Sequence, residues 1–141
     1  MQRSIFSLLF GFNKSQYYNS SNDEMGTMRP VVKIFKALSD TNRLRILKML
    51  EVRPLCVCEI TEVLQLATST VSKHLSILRD ADLIVDDKQG KWVNYKLNKD
   101  INQDYVNKLL PAITEWLKTD EMINRDAEKV RTVDRNQICG L

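Results

Sequence analysis

Histidine occurs once in this 141-residue chain, cysteine and proline three times each, and glycine four times. So little glycine and proline excludes collagen-like and low-complexity architectures. Three cysteines, two of them separated by a single residue, make a poor framework for structural disulfides, which predicts reduced thiols in a cytoplasm. The lone imidazole, His74, rules out mixed imidazole sites and leaves zinc without its commonest nitrogen ligand. No run approaches the roughly 18 uninterrupted apolar residues of a spanning helix, so no segment is expected to cross a membrane. A cysteine with His74 as base is the only conceivable nucleophilic pair. No Gly-rich elbow, oxyanion motif, phosphate-cradling loop or paired-carboxylate signature accompanies it, so the chain does not read as an enzyme.

What is present fits an ordinary folded domain: 43% hydrophobic residues, 28% charged residues and a net charge of +3. The basic excess sits in residues 31–100, with 12 Lys and Arg against 9 Asp and Glu, a weak bias toward anionic partners. The apolar patch from Ile5 to Phe12 is broken by Ser7 and Gly11, lacks a small-residue cleavage site and leads into the polar run Asn13–Glu24. It reads as a mobile N-terminal arm over 1–28 and not as a secretory signal.

From Val31 the apolar residues recur at helical spacing. Val31, Ile34, Phe35 and Leu38 form one face, and a second helix with Leu44, Ile46, Leu47 and Leu50 inward is capped by Asp40 or Thr41 and stopped by Pro54. A third helix over about 58–65 (Ile60, Val63, Leu64 inward) and a fourth over about 68–79 (Val71, Leu75, Leu78 inward) are joined by Leu66-Ala67-Thr68, the helix-turn-helix arrangement. After Asp82 the period falls to two. Leu83-Ile84-Val85 and Trp92–Leu97 predict a hairpin joined by Asp86–Lys91, with Val93, Tyr95 and Leu97 on one face and Trp92, Asn94 and Lys96 on the other. The fold class is therefore mostly α with a small β-hairpin, a winged helix-turn-helix. Val106, Leu109, Leu110, Ile113, Trp116 and Leu117 then form a stripe wider than this core needs, which predicts a dimerisation helix, kinked at Pro111 or restarting with it in the first turn. The winged domain with its dimerisation helices spans 29–118. Residues 119–141 read as a frayed, charged C-terminal tail that carries Cys139.

Two parts of this pattern carry chemistry. On the fourth helix, Thr68, Ser69, Thr70, Ser72 and Lys73 lie away from the apolar face, where hydroxyls meet phosphates or base edges and a lysine neutralises a phosphate. His74 is placed with them, having no thiol or carboxylate at ligand spacing. Lys88, Gln89 and Lys91 stand at the wing tip, within reach of a minor groove or its phosphates, although Asp86 and Asp87 beside them oppose a duplex. The second part is Cys56-Val57-Cys58, two thiols suited to a soft ion. On an unbroken helix residues two apart point about 200° from each other, so both sulfurs reach one ion only if the segment is extended or unwinds locally.

Three stretches, Ala37–Leu47, Leu55–Ile60 and Ser69–Arg79, together resemble the arsenic-repressor (ArsR/SmtB) family of metal-sensing regulators over about residues 29–118. The resemblance implies a homodimer that occupies double-stranded operator DNA when metal-free and leaves it when a metal or metalloid binds. The Cys-Val-Cys pair resembles the thiolate site of arsenite and antimonite sensors, shared with cadmium and lead sensors. Cadmium and lead sensors of this kind add N-terminal thiols, yet no Cys precedes Cys56, and zinc-type sensors use carboxylates and histidines on the dimer helix, where Asp104 has no His near it. Trivalent arsenic takes three sulfurs, and Cys139 is the remaining candidate beside Cys56 and Cys58. The expectation is a cytoplasmic arsenite- or antimonite-responsive repressor. A cadmium or lead sensor, a thiol redox-responsive regulator closing a disulfide to Cys139, and a winged-helix protein-interaction module are the alternatives.

Overall fold

A computed structural model describes residues 28–100 and 104–139; of the arm expected over 1–28, only Met28 falls within them. Helix α1 (Met28–Leu38) buries Ile34 and Ala37 but leaves Val32 and Phe35 exposed. Asp40 caps α2 (Thr41–Val52) by accepting from the Arg43 N–H at 3.0 Å, and Ile46, Leu47, Met49 and Leu50 turn into the core. Leu44, expected inward with them, is only half-buried. Arg43 completes this corner by donating to the carbonyls of Ala37 and Lys36 at the end of α1.

Pro54 ends α2, as its missing N–H requires, and Arg53 is extended. The next two residues form β1 (Leu55–Cys56), a strand too short to show any periodicity in sequence. Helix α3 (Val57–Leu64) closes at Gln65, left-handed at φ 55°, and Gln65–Ala67 leads into α4 (Thr68–Asp80). Val71, Leu75 and Leu78 of α4 are buried at the expected spacing. The hairpin follows as β2 (Ile84–Gln89) and β3 (Trp92–Leu97). Its connection is only Gly90-Lys91, with Gly90 at φ 60°, because Asp86–Gln89, expected in the connecting loop, continue the ladder. The sheet has three strands, all antiparallel, in the order β1-β3-β2, with Leu55 opposite Tyr95 and Cys56 opposite Asn94. Burial along β3 does not follow the two expected faces: Val93 is exposed on the apolar one, and on the polar one Lys96 is exposed but Asn94 is not. Asn94 is buried there, beside β1 and under Arg135.

Helix α5 (Asp104–Trp116) runs unbroken through Pro111, so the expected restart does not occur; the Asn107 carbonyl simply lacks its helical donor. Val106 and Ile113 are buried, whereas Trp116 is 73% exposed. The largest correction lies beyond it. Residues 119–139 form no frayed tail: Asp120 caps α6 (Glu121–Thr132), and α7 (Arg135–Ile138) follows. The apolar residues of α6 are sparse, so its pattern resembles a solvated helix, yet Ile123 and Val130 are buried and the helix packs on α2 and α3. A buried carboxylate replaces the missing apolar stripe. Asp126, 3% exposed, accepts from Nε and Nη2 of Arg45 on α2 at 2.7 and 3.0 Å, a bidentate pair. Among the described residues no helix is long and apolar enough to cross a membrane.

Removing one member of this pair strands the other in the core. Asp126→Ala is expected to cost about 3 kcal/mol, while Arg45→Met with Asp126→Leu recovers most of that loss. Urea unfolding of the three proteins measures both. Equal midpoints for wild type and Asp126→Ala would place α6 loosely on the domain.

Candidate thiol site and nucleic-acid interface

The two near-adjacent thiols do not sit on one helix. Cys56 is the N-cap of α3, with extended backbone (φ −86°, ψ 167°), and Cys58 lies in the first turn. The extended residue removes the divergence of about 200° that an unbroken helix imposes. No unwinding is needed to turn both sulfurs toward one point. Cys139, at the C-cap of α7, completes the group: the three Sγ atoms lie within 4.8 Å of one another. Cys56 is buried, and Cys58 and Cys139 are half-buried.

Glu59 holds this arrangement. At the third position of α3 it accepts the Cys56 N–H at 2.9 Å, the carboxylate half of a capping box. Although 1% exposed, Glu59 is matched by Arg53, whose Nη1 donates to it at 2.9 Å. The same guanidinium donates to the carbonyls of Val130 and Val133 at the end of α6, with Nη2 at 3.0 and 2.8 Å. Arg53 thus pins the end of α6, and with it α7 and Cys139, against the start of α3. The Cys56-x-x-Glu59 spacing is a sequence signal for this cap. Nothing in sequence marks Arg53, whose carbonyl partners on α6 lie nearly 80 residues away.

Burial pushes the Cys56 thiol above its ordinary pKa, and the neighbouring Glu59 carboxylate adds to the shift. The Cys139 thiol is also pushed up, by burial first and then by hydrogen bonding and charge from Cys58. Both are protonated at neutral pH.

On the opposite side of the helix-turn-helix, Thr68, Ser69, Ser72 and Lys73 are exposed and Thr70 is half-buried. The N-cap of α4 is Ala67, whose carbonyl accepts from the Thr70 and Val71 amides. The hydroxyls of Thr68 and Ser69 are therefore not committed to capping. His74 is turned inward: its side chain is 13% exposed, with Nδ1 3.5 Å from Nη1 of Arg43 and 3.8 Å from Asp40. Its geometry ties α4 to the α1–α2 corner and gives it no place on the exposed face. Lys88, Gln89 and Lys91 are exposed at the wing tip. Of the two acids there, Asp86 is engaged by Arg79 at 3.3 Å.

The family model for bacterial regulatory proteins of the arsR family matches residues 40–85. An arsenical resistance operon repressor of Escherichia coli (strain K12) is 36% identical over 108 residues, covering 74% of this chain and 82% of the relative. A cadmium resistance transcriptional regulatory protein CadC homolog from Staphylococcus aureus is 33% identical over 93 residues, covering 64% of this chain and 77% of that protein. Among solved structures, HlyU from Vibrio cholerae N16961 superposes with a TM-score of 0.57 at 28% identity, covering 67% of this chain and 98% of that one.

Thiol titration reads the site directly. In the native protein at neutral pH, Cys58 is expected to react first with a disulfide reagent, as mapped by mass spectrometry. Cys56 and Cys139 lag, the lag shortens as pH rises, and it vanishes in urea. Early modification of Cys56 would contradict its place in the cluster.

Proposed function

Because the chain belongs to the arsR family of bacterial regulatory proteins, winged-helix DNA-binding regulators and not enzymes, we propose that it is a cytoplasmic repressor whose inducer is a thiophilic metalloid, arsenite or antimonite, held by Cys56, Cys58 and Cys139. The observation that carries this reading is the approach of three sulfurs to within 4.8 Å. With metal–thiolate bonds of about 2.3 Å, ligating sulfurs stand about 3.7 Å apart, so capture needs shifts of no more than about 1 Å.

Charge favours a trivalent metalloid over cadmium or lead. Arsenite is the neutral trihydroxide, and its capture by three thiols releases three waters, each thiol proton leaving with a hydroxide. The product is neutral. A divalent cation must expel the thiol protons into solvent and leaves a net negative cluster beside Glu59, whose charge is already matched by Arg53. The raised Cys56 and Cys139 pKa values weigh the same way, since protonated thiols suit the hydroxide and oppose the cation.

In the inducer-free state, Thr68, Ser69, Thr70, Ser72 and Lys73 face operator DNA in the major groove, and Lys88, Gln89 and Lys91 reach the flanking backbone or minor groove. A second copy of the chain covers the apolar residues left exposed on α1 and α5, Val32, Phe35 and Trp116. DNA and inducer oppose each other because each favours a different setting of the segment from Cys56 to Gln65.

Fluorescence anisotropy on an operator fragment tests the site. Arsenite is expected to weaken wild-type binding about 5- to 150-fold, the range for a coupling of about 1–3 kcal/mol, and to leave Cys56→Ser bound. Equal release from both proteins excludes these thiols. A second measurement separates the ions. Between about pH 6 and 8, cadmium affinity is expected to fall about tenfold or more per unit as pH drops, because each raised thiol must lose its proton, whereas arsenite affinity stays level. A matching slope for arsenite would remove the charge argument.

A further inference from the structure

Asn94 occupies an unusual position for a side-chain amide. It is 4% exposed, lies in the middle of β3, and pairs across the ladder with Cys56. Both ends of its amide are used. Oδ1 accepts from Nη1 of Arg135 at 3.0 Å, and Nδ2 donates to Oε1 of Gln89 at 3.0 Å. Arg135 is the first residue of α7, and its carbonyl accepts the Cys139 N–H at 2.9 Å. Its guanidinium also stands over the Trp92 ring, 5.7 Å from the centroid. Two side-chain hydrogen bonds therefore join the helix carrying the third thiol to Gln89, at the wing tip.

We propose that Arg135 transmits occupancy of the thiol cluster to the wing, through the amide of Asn94 and on to Gln89. The proposal rests on the three thiols being the inducer site. Cys56 is held by the β1–β3 pairing and by Glu59, so the sulfur with most freedom to close on an ion is Cys139, on a four-residue helix. Drawing Cys139 inward carries Arg135 with it. Arg135 then either pulls Asn94 or releases it, and in both cases Gln89 loses the orientation set through Asn94, and Trp92 keeps only Lys91, 5.2 Å from its centroid, as a cation on its ring. Arg135 acts here as a positioning residue: it contacts neither the ion nor DNA. The link is short, specific to side chains and confined to one protomer, so it adds to any change at the dimer interface without requiring it.

The test compares the full chain with Arg135→Gln. Three readouts are taken: the sulfur count on arsenic by X-ray absorption, operator binding with and without saturating arsenite, and the 19F resonance of fluorotryptophan at position 92, assigned by its loss in Trp92→Phe. In wild type, arsenite is expected to shift the Trp92 resonance and release the operator. In Arg135→Gln, three sulfurs still bind arsenic, but arsenite-free operator binding is already weakened because Asn94 has lost its tie to α7, the resonance no longer moves with arsenite, and the further release falls below about threefold. The proposal is overturned if Arg135→Gln releases DNA as wild type does, if arsenite leaves the wild-type Trp92 resonance unmoved, or if the variant binds arsenic through only two sulfurs, which would reduce Arg135 to a seat for Cys139. An arsenic bound to no protein sulfur in wild type sinks the inducer site itself, a failure that the sulfur count separates from the others.

Discussion

The guanidinium of Arg53 joins three parts of the chain: the end of α2, the start of α3 and the end of α6. It matches the buried Glu59 carboxylate that caps α3 through the Cys56 amide, and it takes the carbonyls of Val130 and Val133 at the end of α6. A buried carboxylate without a partner is costly, and so are helix carbonyls turned away from water. One planar cation satisfies both, and in doing so it sets where Cys139 lies relative to Cys56 and Cys58. The geometry of the thiol cluster depends on this junction more than on any property of the cysteines themselves.

Folding itself orders the C-terminal segment that carries Cys139. A tail recruited only on binding would have to lose backbone entropy for each residue fixed, about 1–2 kcal/mol apiece. The Arg45–Asp126 pair and the burial of Ile123 and Val130 hold α6 in place instead. Under the proposed function, an ion that contracts this cluster acts through small displacements of rigid pieces, which packed interfaces convert into discrete changes.

Much of the domain could be read directly along the chain. Apolar spacing placed α2 to α4 and β3 to within a residue or two, since each buries one stripe or one face against a common core, whereas α1 starts three residues earlier and β2 runs four residues further than the apolar pattern marks. Asp40 and Pro54 marked a start and a stop through local chemistry alone. The misreadings share a cause. Strand β1 has two residues and no period to detect, and the buried Asn94 looks solvated until β1 and Arg135 are set beside it. Helix α6 is held by ion pairing to α2 across about 80 residues, so its own composition resembles that of an exposed helix. His74, a polar residue on a polar-faced helix, turns inward only because Asp40 and Arg43 await it.

By itself, the sequence determined that this is a winged helix-turn-helix with two thiols at the threshold of the reading unit, because periodicity, caps and breakers act over a few residues and need no distant partner. Only the tertiary structure decided that a third thiol stands with them, and that the first of the two is extended at the N-cap of α3 while the second lies in its first turn. Both outcomes depend on buried charges finding partners far along the chain, and electrostatic pairing of that kind leaves no local pattern.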